Sequence, residues 1–388
     1  MKKTIHYGAQ FIFKNDINFI KKSLQKNLIT TGPYVKHFED SIKSFLKVKY
    51  VSACSSGTSA LHLVFMAIDL NKEDNIILPS INFIAAASMA NFCRANIFFC
   101  DIDPDTGQIS ATLIEKCIKE NRLKKIKAII NMYNGGYPRN MYDIHKLKKK
   151  YSCFLIEDAC HAFGGSYIHD KKKYLIGSCR HSDFSTFSFH PLKTITTGEG
   201  GCVTTKSKLF SDRINELRSH GIKKSKKNWS YDIERLSFNY RISDINCALG
   251  ISQLKKIKLI IKKRTNIFKQ YYKNLNNYLN CFEVISPSPK TFSAFHLVLL
   301  KINFKFLSID KELFLSFLKK KGINCQQHYI PNYKFKVFKK KFSKKKMSGA
   351  ENYFNSVISL PIHLNINKDE QKKIIKLTKS IAKKYLKV

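Results

Sequence analysis

One lysine stands out from the many in this chain because of the residues that surround it. Lys193 lies in STFSFHPLKTITTGEGG, residues 185–201, where alternating small polar and aromatic residues give way to threonine and glycine. The alternation is typical of a β-strand, and the glycines favour a tight reversal into a second strand. A lysine enclosed past the end of a strand loses hydration, which lowers its pKa and frees the amine to form a Schiff base. The competing interpretation is a lysine on a surface loop.

Two carboxylates and a histidine follow an apolar strand in FLIEDACHAFG, residues 154–164. A carboxylate at the end of a buried strand has to be solvated, paired or functional, because burial of an unpaired charge is costly. Asp158 is therefore a candidate partner for a protonated heteroaromatic nitrogen, with His161 facing the same pocket. Two other interpretations stay open: Asp158 as a helix N-cap, or Asp158 and His161 as metal ligands without an obvious third. No HExxH or similar cluster is present, and we predict no metal site.

Small polar residues also lie where the first predicted strand ends, in CSSGTSAL, residues 54–61. Backbone N–H groups at a helix start, the hydroxyls of Ser56 and Thr58, and the small Gly57 would together form a cup for a phosphate. An ordinary serine or threonine N-cap would leave the same pattern. Phe83, at the end of another predicted strand, is either a platform for a flat ring or a core residue.

The length and composition are typical of a folded protein. The chain has 388 residues, 44% of them hydrophobic and 12% aromatic, which is enough for two domains with sizeable cores. No apolar run is long enough to span a membrane, and the start of the chain has no signal-peptide pattern. Eleven cysteines without CxxC pairs indicate reduced thiols. We therefore expect a cytoplasmic protein.

The formal net charge of +41 comes from 69 Lys and Arg residues against 28 Asp and Glu residues. A charge of this size is one signature of nucleic-acid binding. Here the lysines are spread from end to end, and the abundance of isoleucine and asparagine indicates a biased nucleotide composition. We predict no nucleic-acid partner and no membrane partner, and expect the positive field to steer an anionic substrate.

The rest of the chain has to bring these residues to one edge of one sheet. Short apolar segments alternate with longer amphipathic ones, which predicts an α/β fold with a mostly parallel sheet between two layers of helices. Ligands gather at the carboxyl ends of the strands in such sheets. The predicted strands are residues 50–53, 75–78, 96–101, 128–132, 153–157, 183–189 and 201–205. The predicted helices between them are residues 58–69, 84–92, 110–121, 141–150 and 208–218.

A long helical pattern begins at Ser243, continues through residue 261 and is predicted to reach residue 279. A helix of this length commonly joins two domains, so we place a domain boundary inside it. The prediction is an N-terminal arm and large α/β domain over residues 1–255, and a small α+β domain over residues 256–388.

In their order along the chain, these segments resemble the nucleotide-sugar aminotransferases of the DegT/StrS family. The resemblance rests on SGTSAL, EDACHA, SFHPLKTITTGEGG, RSHG, FNYR and HYIP, and it covers nearly the whole chain. It implies the fold type I of pyridoxal-phosphate enzymes, as in aspartate aminotransferase, and a homodimer with active sites at the interface. Within the family, SFHPLKTITTGEGG, LRSHG and GISQLKK look most like the branch that serves pseudaminic-acid biosynthesis.

The resemblance also implies a reaction and a set of roles. An amino acid, glutamate, would give its amine to C4 of a UDP-linked 4-keto-6-deoxy-HexNAc sugar. Lys193 is implied to bind pyridoxal 5′-phosphate and to move the proton, while Asp158 pairs with the pyridinium nitrogen and His161 lies beside the ring oxygen. The other implied residues are Phe83 stacked on the ring, Ser56, Gly57, Thr58 and Ser188 at the phosphate, Asn239 reaching the phosphate from the second subunit, and Thr31, Gly32, His328 and Tyr329 at the sugar nucleotide.

The segment NMYNGGYPRNM, residues 131–141, departs from the family pattern, which has a shorter glycine-containing loop after this strand. The family also includes dehydratases in which histidine replaces the lysine; Lys193 favours amination, although His190 lies nearby. The alternatives are amination of another nucleotide sugar, such as a D-configured UDP sugar or a dTDP- or GDP-linked one, and, in other classes, a basic nucleic-acid-binding protein or a cofactor-binding sensor.

Overall fold

The computed structural model describes residues 4–224, 229–342 and 346–387. Its strands are β1 (Ile5–His6), β2 (Tyr50–Cys54), β3 (Asn75–Pro79), β4 (Asn96–Cys100), β5 (Ala128–Met132), β6 (Phe154–Asp158), β7 (Ser166–His169), β8 (Lys172–Leu175), β9 (Phe184–Ser188), β10 (Gly201–Thr205), β11 (Ile222–Lys224), β12 (Tyr231–Ile233), β13 (Phe282–Val284), β14 (Thr291–Phe292), β15 (Val298–Ile302), β16 (Ile323–Asn324) and β17 (Val357–Leu360). Its α-helices are α1 (Lys14–Leu24), α2 (Pro33–Leu46), α3 (Gly57–Ala67), α4 (Ala85–Phe92), α5 (Ala111–Glu120), α6 (Met141–Lys150), α7 (Lys208–Leu217), α8 (Asp244–Lys255), α9 (Ile257–Leu275), α10 (Lys311–Lys320), α11 (Lys336–Phe342), α12 (Ser348–Ser356) and α13 (Lys368–Lys384). Short 3₁₀ segments occur at Asn134–Gly136, Tyr278–Asn280, Phe304–Phe306 and Asn332–Lys334.

A seven-stranded sheet forms the centre of the molecule, in the order β2-β10-β9-β6-β5-β3-β4. The pairs from β9 to β4 are parallel, and β10 is antiparallel to both of its neighbours. The inner strands are apolar and buried because helices cover both faces, which is typical of parallel sheets. The α/β fold with a mostly parallel sheet is therefore as predicted.

All seven predicted strands are present in this sheet, and none of their ends differs by more than one residue from the prediction. The five predicted helices between them end within two residues of their predicted bounds. One prediction was wrong: the helix from Ser243 does not run without interruption to residue 279, because it breaks at Lys256, where φ is −104° and ψ is 5°. The break separates two kinds of packing, since α8 is buried around its whole circumference from Cys247 to Leu254, whereas α9 buries a single face.

A smaller antiparallel sheet, β13-β15-β17, forms the C-terminal part together with α10 and α13. Two further pairings join this part to the rest of the chain. The N-terminal β1 pairs in parallel with β16, and β14 pairs with β7 beside the central sheet. The division at residue 255 stays a prediction.

Within the described ranges, none of the helices combines the length and apolar character that a membrane span requires.

Candidate active site

A cavity of about 400 Å³ lies at the carboxyl ends of the parallel strands. Strands β2, β3, β6 and β9 point toward its wall, and segments from the C-terminal part close it. Ten of the predicted site residues line this cavity: Ser56, Gly57, Thr58, Phe83, Asp158, His161, Ser188, Lys193, His328 and Tyr329. Residues far apart in sequence thus meet in one place, while their individual roles stay predictions.

Lys193 lies in the turn between β9 and β10, and its backbone N–H donates to the carbonyl of His190 at 2.9 Å. Burial lowers the pKa of Lys193 below its ordinary value because it disfavours the ammonium form, and the nearby Cys160 and Asp158 offset part of this effect. A larger fraction of neutral amine is what a nucleophilic or proton-accepting lysine needs. Lys193 is half-buried and lines the cavity, so it is not an exposed loop lysine.

Asp158 is the last residue of β6 and is buried. One carboxylate oxygen accepts a hydrogen bond from Nδ2 of Asn82 at 3.0 Å, and the other accepts from the backbone N–H of Cys160 at 3.4 Å. Among the described residues no cationic side chain forms an ion pair with this carboxylate. A buried carboxylate that has two N–H donors and the thiol of Cys160 beside it, but no ion pair, fits a cationic ligand group such as a protonated ring nitrogen.

The phosphate cup predicted from CSSGTSAL coincides with the first turn of α3. Ser56 is the N-cap, and its Oγ accepts from the backbone N–H of Ser59 at 3.0 Å, so the N-cap interpretation is confirmed and the phosphate site stays a prediction. A Cβ on Gly57 would lie 2.8 Å from Cβ of Ser188, which excludes any larger residue here. The helix N-terminus therefore lies directly against β9, with the early N–H groups of α3 available to an anion.

Two histidines and a tyrosine, His161, His328 and Tyr329, form another part of the cavity wall. His161 and His328 are buried, and burial lowers the pKa of both; that of His328 falls to about 3, and the positive charge of Lys193 contributes to each shift. Nε2 of His161 lies 2.8 Å from the hydroxyl of Tyr329. Both imidazoles are consequently neutral at physiological pH.

Phe83 does not belong to the core, since 54% of its surface is exposed. Its ring lies 5.9 Å from that of Tyr329 at the cavity mouth, which suits a platform for a flat ligand ring. The core interpretation of Phe83 is therefore wrong.

Three predicted residues do not line the cavity of their own chain: Thr31, Gly32 and Asn239. Thr31 and Asn239 are exposed. The N–H of Gly32 is bound to the carboxylate of Asp244 at 2.7 Å, so its role within one chain is to dock α2 on α8.

Half of the residues that line the cavity were not predicted as site residues, and two polar ones among them are Asn82 and His296. Asn82 immediately precedes Phe83 at the end of β3, and the strand-end rule that selected Asp158 could have found it. His296 lies in SAFHLVLL, just before β15, and nothing in that segment points to the cavity. Arg264 holds it there by donating to the carbonyls of Phe295 and His296, both at 3.2 Å.

In the part of the chain that the structure describes, no group of three or more His, Cys, Asp and Glu side chains is placed to hold a metal ion. The cavity instead combines a lysine whose pKa burial lowers, a buried carboxylate without an ion pair, the N-terminus of α3 and an exposed aromatic ring. This combination fits a flat, phosphorylated, nitrogen-containing ring with a reactive carbonyl.

The fold and this cavity define an α/β enzyme of the aminotransferase class. The aminotransferase "Helicobacter pylori PseC, aminotransferase involved in the biosynthesis of pseudoaminic acid" superposes with a TM-score of 0.90 at 29% identity, covering 99% of this chain and 100% of that one. A transaminase from Campylobacter jejuni strain 81-176, named for UDP-4-amino-4,6-dideoxy-N-acetyl-beta-L-altrosamine, is 37% identical over 385 residues, 99% of each chain. The Helicobacter pylori transaminase of the same name is 32% identical over 370 residues, 94% of each chain.

The DegT/DnrJ/EryC1/StrS aminotransferase family model matches residues 11–379. The chain belongs to this family. The predicted family, its fold and the class of enzyme are thereby confirmed.

Proposed function

We propose that the protein transfers an amino group from an amino acid, L-glutamate, to C4 of a UDP-linked 4-keto-6-deoxy-HexNAc sugar, with pyridoxal 5′-phosphate as cofactor. The observation that carries the proposal is one cavity that contains Lys193, the carboxylate of Asp158 and the N-terminus of α3. The sugar assignment is supported by full-length similarity to transaminases named for UDP-4-amino-4,6-dideoxy-N-acetyl-beta-L-altrosamine.

Lys193 performs two tasks in this proposal. When bound, pyridoxal phosphate supplies an electron sink that stabilises negative charge at the carbon bearing the transferred amine. Nζ of Lys193 holds the cofactor covalently and, once released, carries the proton between the reacting carbons. Both tasks need the neutral amine, and burial lowers the pKa of Lys193 in the required direction.

The other cavity residues bind and orient the cofactor. The carboxylate of Asp158 accepts a hydrogen bond from the protonated ring nitrogen. The side-chain amide of Asn82 donates to the same carboxylate and fixes its orientation. The N-terminus of α3 with Ser56, Gly57, Thr58 and Ser188 binds the phosphate, and Phe83 stacks on the ring.

The sugar nucleotide enters beside His328 and Tyr329, and a second subunit completes the site. Asn239 of each chain is exposed, which suits a residue that reaches the phosphate cup of a neighbouring subunit in a homodimer. Thr31 and Gly32 lie outside the cavity of their own chain and are assigned to the sugar nucleotide at the same interface. The excess of lysine steers the anionic nucleotide toward the protein.

The cofactor is tested by the visible absorption spectrum of the purified protein before and after addition of L-glutamate. We expect a yellow band that bleaches with glutamate, and borohydride reduction that attaches the cofactor to the peptide containing Lys193. Lys193→Ala should abolish both the attachment and amine transfer, while Lys208→Ala, on the exposed start of α7, should change neither. Amine transfer at the wild-type rate by Lys193→Ala would show that the mechanism is wrong.

The sugar is tested separately, by measuring kcat/KM side by side for the UDP-linked 4-keto sugar of the L-altro series, its D-configured counterpart and dTDP- and GDP-linked keto sugars. The proposal expects the highest kcat/KM for the first. A higher value for any other would keep the cofactor assignment and replace the substrate.

A further inference from the structure

The loop that departs from the family pattern in sequence also packs against the catalytic cavity. It contains Asn134, Gly135 and Gly136 at the end of β5, and both glycines have positive φ, 72° and 87°. A Cβ on Gly135 would lie 2.5 Å from the ring of Tyr137, and a Cβ on Gly136 would overlap the carbonyl oxygen of His161. Only glycine therefore lets this backbone approach His161 so closely.

Because the backbone comes so close, the N–H of Gly135 points at Nδ1 of the His161 ring. The N–H of Gly135 donates to Nδ1 of His161 at 3.3 Å. A ring nitrogen that accepts a hydrogen bond has a free lone pair, so the proton of the neutral imidazole has to be on Nε2. The opposite tautomer would set two N–H groups against each other in a buried place and leave both unsatisfied.

The charge state of His161 follows from everything packed around it. Its ring lies 4.2 Å from His296 and 6.3 Å from His328, and Lys193 faces the same cavity. Burial, then the positive charge of Lys193, and last the repulsion that a protonated His328 would add, hold the pKa of His161 well below its usual range. Tyr329 contacts the ring directly, and burial raises the pKa of its hydroxyl, while Asp158 and Cys160 line the same cavity. His161 is thus neutral and protonated on Nε2.

This assignment determines the direction of the next hydrogen bond. Nε2–H of His161 donates to the hydroxyl oxygen of Tyr329 at 2.8 Å. The tyrosine hydroxyl is consequently the acceptor in this pair and keeps its own proton for another partner. Tyr329 lines the cavity, and the described residues offer its hydroxyl no second hydrogen-bond partner.

We infer that the backbone of Gly135 and the ring of His161 are positioning groups that make the Tyr329 hydroxyl a hydrogen-bond donor into the cavity, directed at an acceptor oxygen of the bound ligand. The relay runs from the Gly135 N–H to Nδ1 of His161, and from Nε2–H to the oxygen of Tyr329. Under the proposed function, the acceptor is either the ring oxygen of the cofactor or an oxygen of the keto sugar. The hydrogen-bond direction itself does not depend on that function.

The first test uses cofactor-free protein and therefore stands apart from activity. Long-range ¹H–¹⁵N spectra of histidine-labelled protein distinguish protonated from unprotonated ring nitrogens, and the signals missing from His161→Gln assign His161. We expect Nε2 protonated and Nδ1 unprotonated at pH 7, with no change as the pH falls through the usual histidine range near 6.5. A proton on Nδ1, or on both nitrogens, at pH 7 would overturn the inference.

The second test removes the donor with Tyr329→Phe. If the acceptor is the cofactor, its binding to the cofactor-free protein weakens and its absorption band shifts. If the acceptor is the sugar, the spectrum stays the same and kcat/KM for the sugar falls, roughly 10²-fold. The matched control is Tyr333→Phe, which removes a hydroxyl bound to Glu351 outside the cavity. No change in cofactor binding, spectrum or kcat/KM would overturn the inference.

The third test separates positioning from packing at His161. A glutamine amide can replace the donor at Nε2, whereas an asparagine amide reaches only the place of Nδ1. We expect His161→Gln to keep more activity than His161→Asn; equal losses would contradict the relay. If wild-type protein takes up no cofactor, the proposed function fails, but the tautomer of His161 still decides the inference.

Discussion

At the level of single residues, the buried carboxylate of Asp158 is the group whose chemistry is easiest to remove without changing its shape. Asp158→Asn keeps the size and one acceptor oxygen, but it removes the negative charge that attracts a protonated ring nitrogen. We expect kcat for amine transfer to fall roughly 10²-fold, because a fixed electrostatic partner of the reacting ring is lost. Steady-state kinetics with the keto sugar measure the effect.

A control for this change is Asp212→Asn, since Asp212 pairs with Lys208 at the exposed surface. It should leave kcat unaltered, because this ion pair is exposed and outside the cavity, and exposed ion pairs contribute little to the stability of the fold. Wild-type kcat in Asp158→Asn would contradict the role of the carboxylate as the partner of the ring nitrogen.

At the level of helices and strands, one carboxylate joins two helix N-termini. Asp244, fully buried at the start of α8, accepts from the backbone N–H of Gly32 and of Tyr34, both at 2.7 Å, at the start of α2. Both helix dipoles favour a negative charge at this point. We expect Asp244→Asn to lower the free energy of unfolding by about 2 kcal/mol, since hydrogen bonds to charged groups are the stronger ones.

Urea denaturation of Asp244→Asn and of Asp310→Asn makes the comparison. Asp310 caps α10 at an exposed position by accepting from the N–H of Leu313 at 2.8 Å, and asparagine caps helices about equally well. Equal stability of the two variants would show that the carboxylate charge of Asp244 contributes nothing to docking α2.

Some of the helices and strands could be predicted from the sequence, and others could not. The strands of the central sheet are short apolar runs with clear bounds, so periodicity and turn residues locate them within a residue. The hairpin of β7 and β8 was not predicted, because SYIHDKKKYL is mostly polar and has no apolar run that marks a strand, although β7 pairs with both β8 and β14. The break at Lys256 was missed for a similar reason: the helical periodicity continues through it, and the change in burial is a property of the whole molecule.

In the candidate active site, too, only part of the arrangement could be predicted from the sequence. Lys193, Asp158 and the α3 cup could be selected because each follows a strand, and strand ends meet in a parallel sheet. The relay from Gly135 through His161 to Tyr329 could not, since it joins three distant segments and depends on which nitrogen accepts.

At the level of the whole molecule, an exposed apolar surface follows β12. Leu236 is 90% exposed and Phe238 56% exposed, close to Asn239, which the proposed function assigns to the site of a second subunit. We expect Leu236→Asp to convert a dimer to a monomer and to weaken cofactor binding, because exposed apolar side chains near a shared site are typical of interfaces.

Sedimentation and cofactor titration test this expectation together. Leu313→Asp on α10, at a residue 42% exposed, is the control and should alter neither result. A monomeric wild-type protein that binds its cofactor fully would contradict the shared site.

The pairing of β1 with β16 sets the order in which the cavity is built during synthesis. Ile5 leaves the ribosome long before its pairing partner Ile323. The intervening Tyr7 lines the cavity, and its carbonyl accepts from the N–H of Ile362, which is later still. The arm therefore waits unpaired while the central sheet folds, and closing so long a loop is slow. A nascent chain therefore has Lys193, Asp158 and the start of α3 before the arm can close the cavity, and we expect it to bind its cofactor fully only after Ile362 has been made.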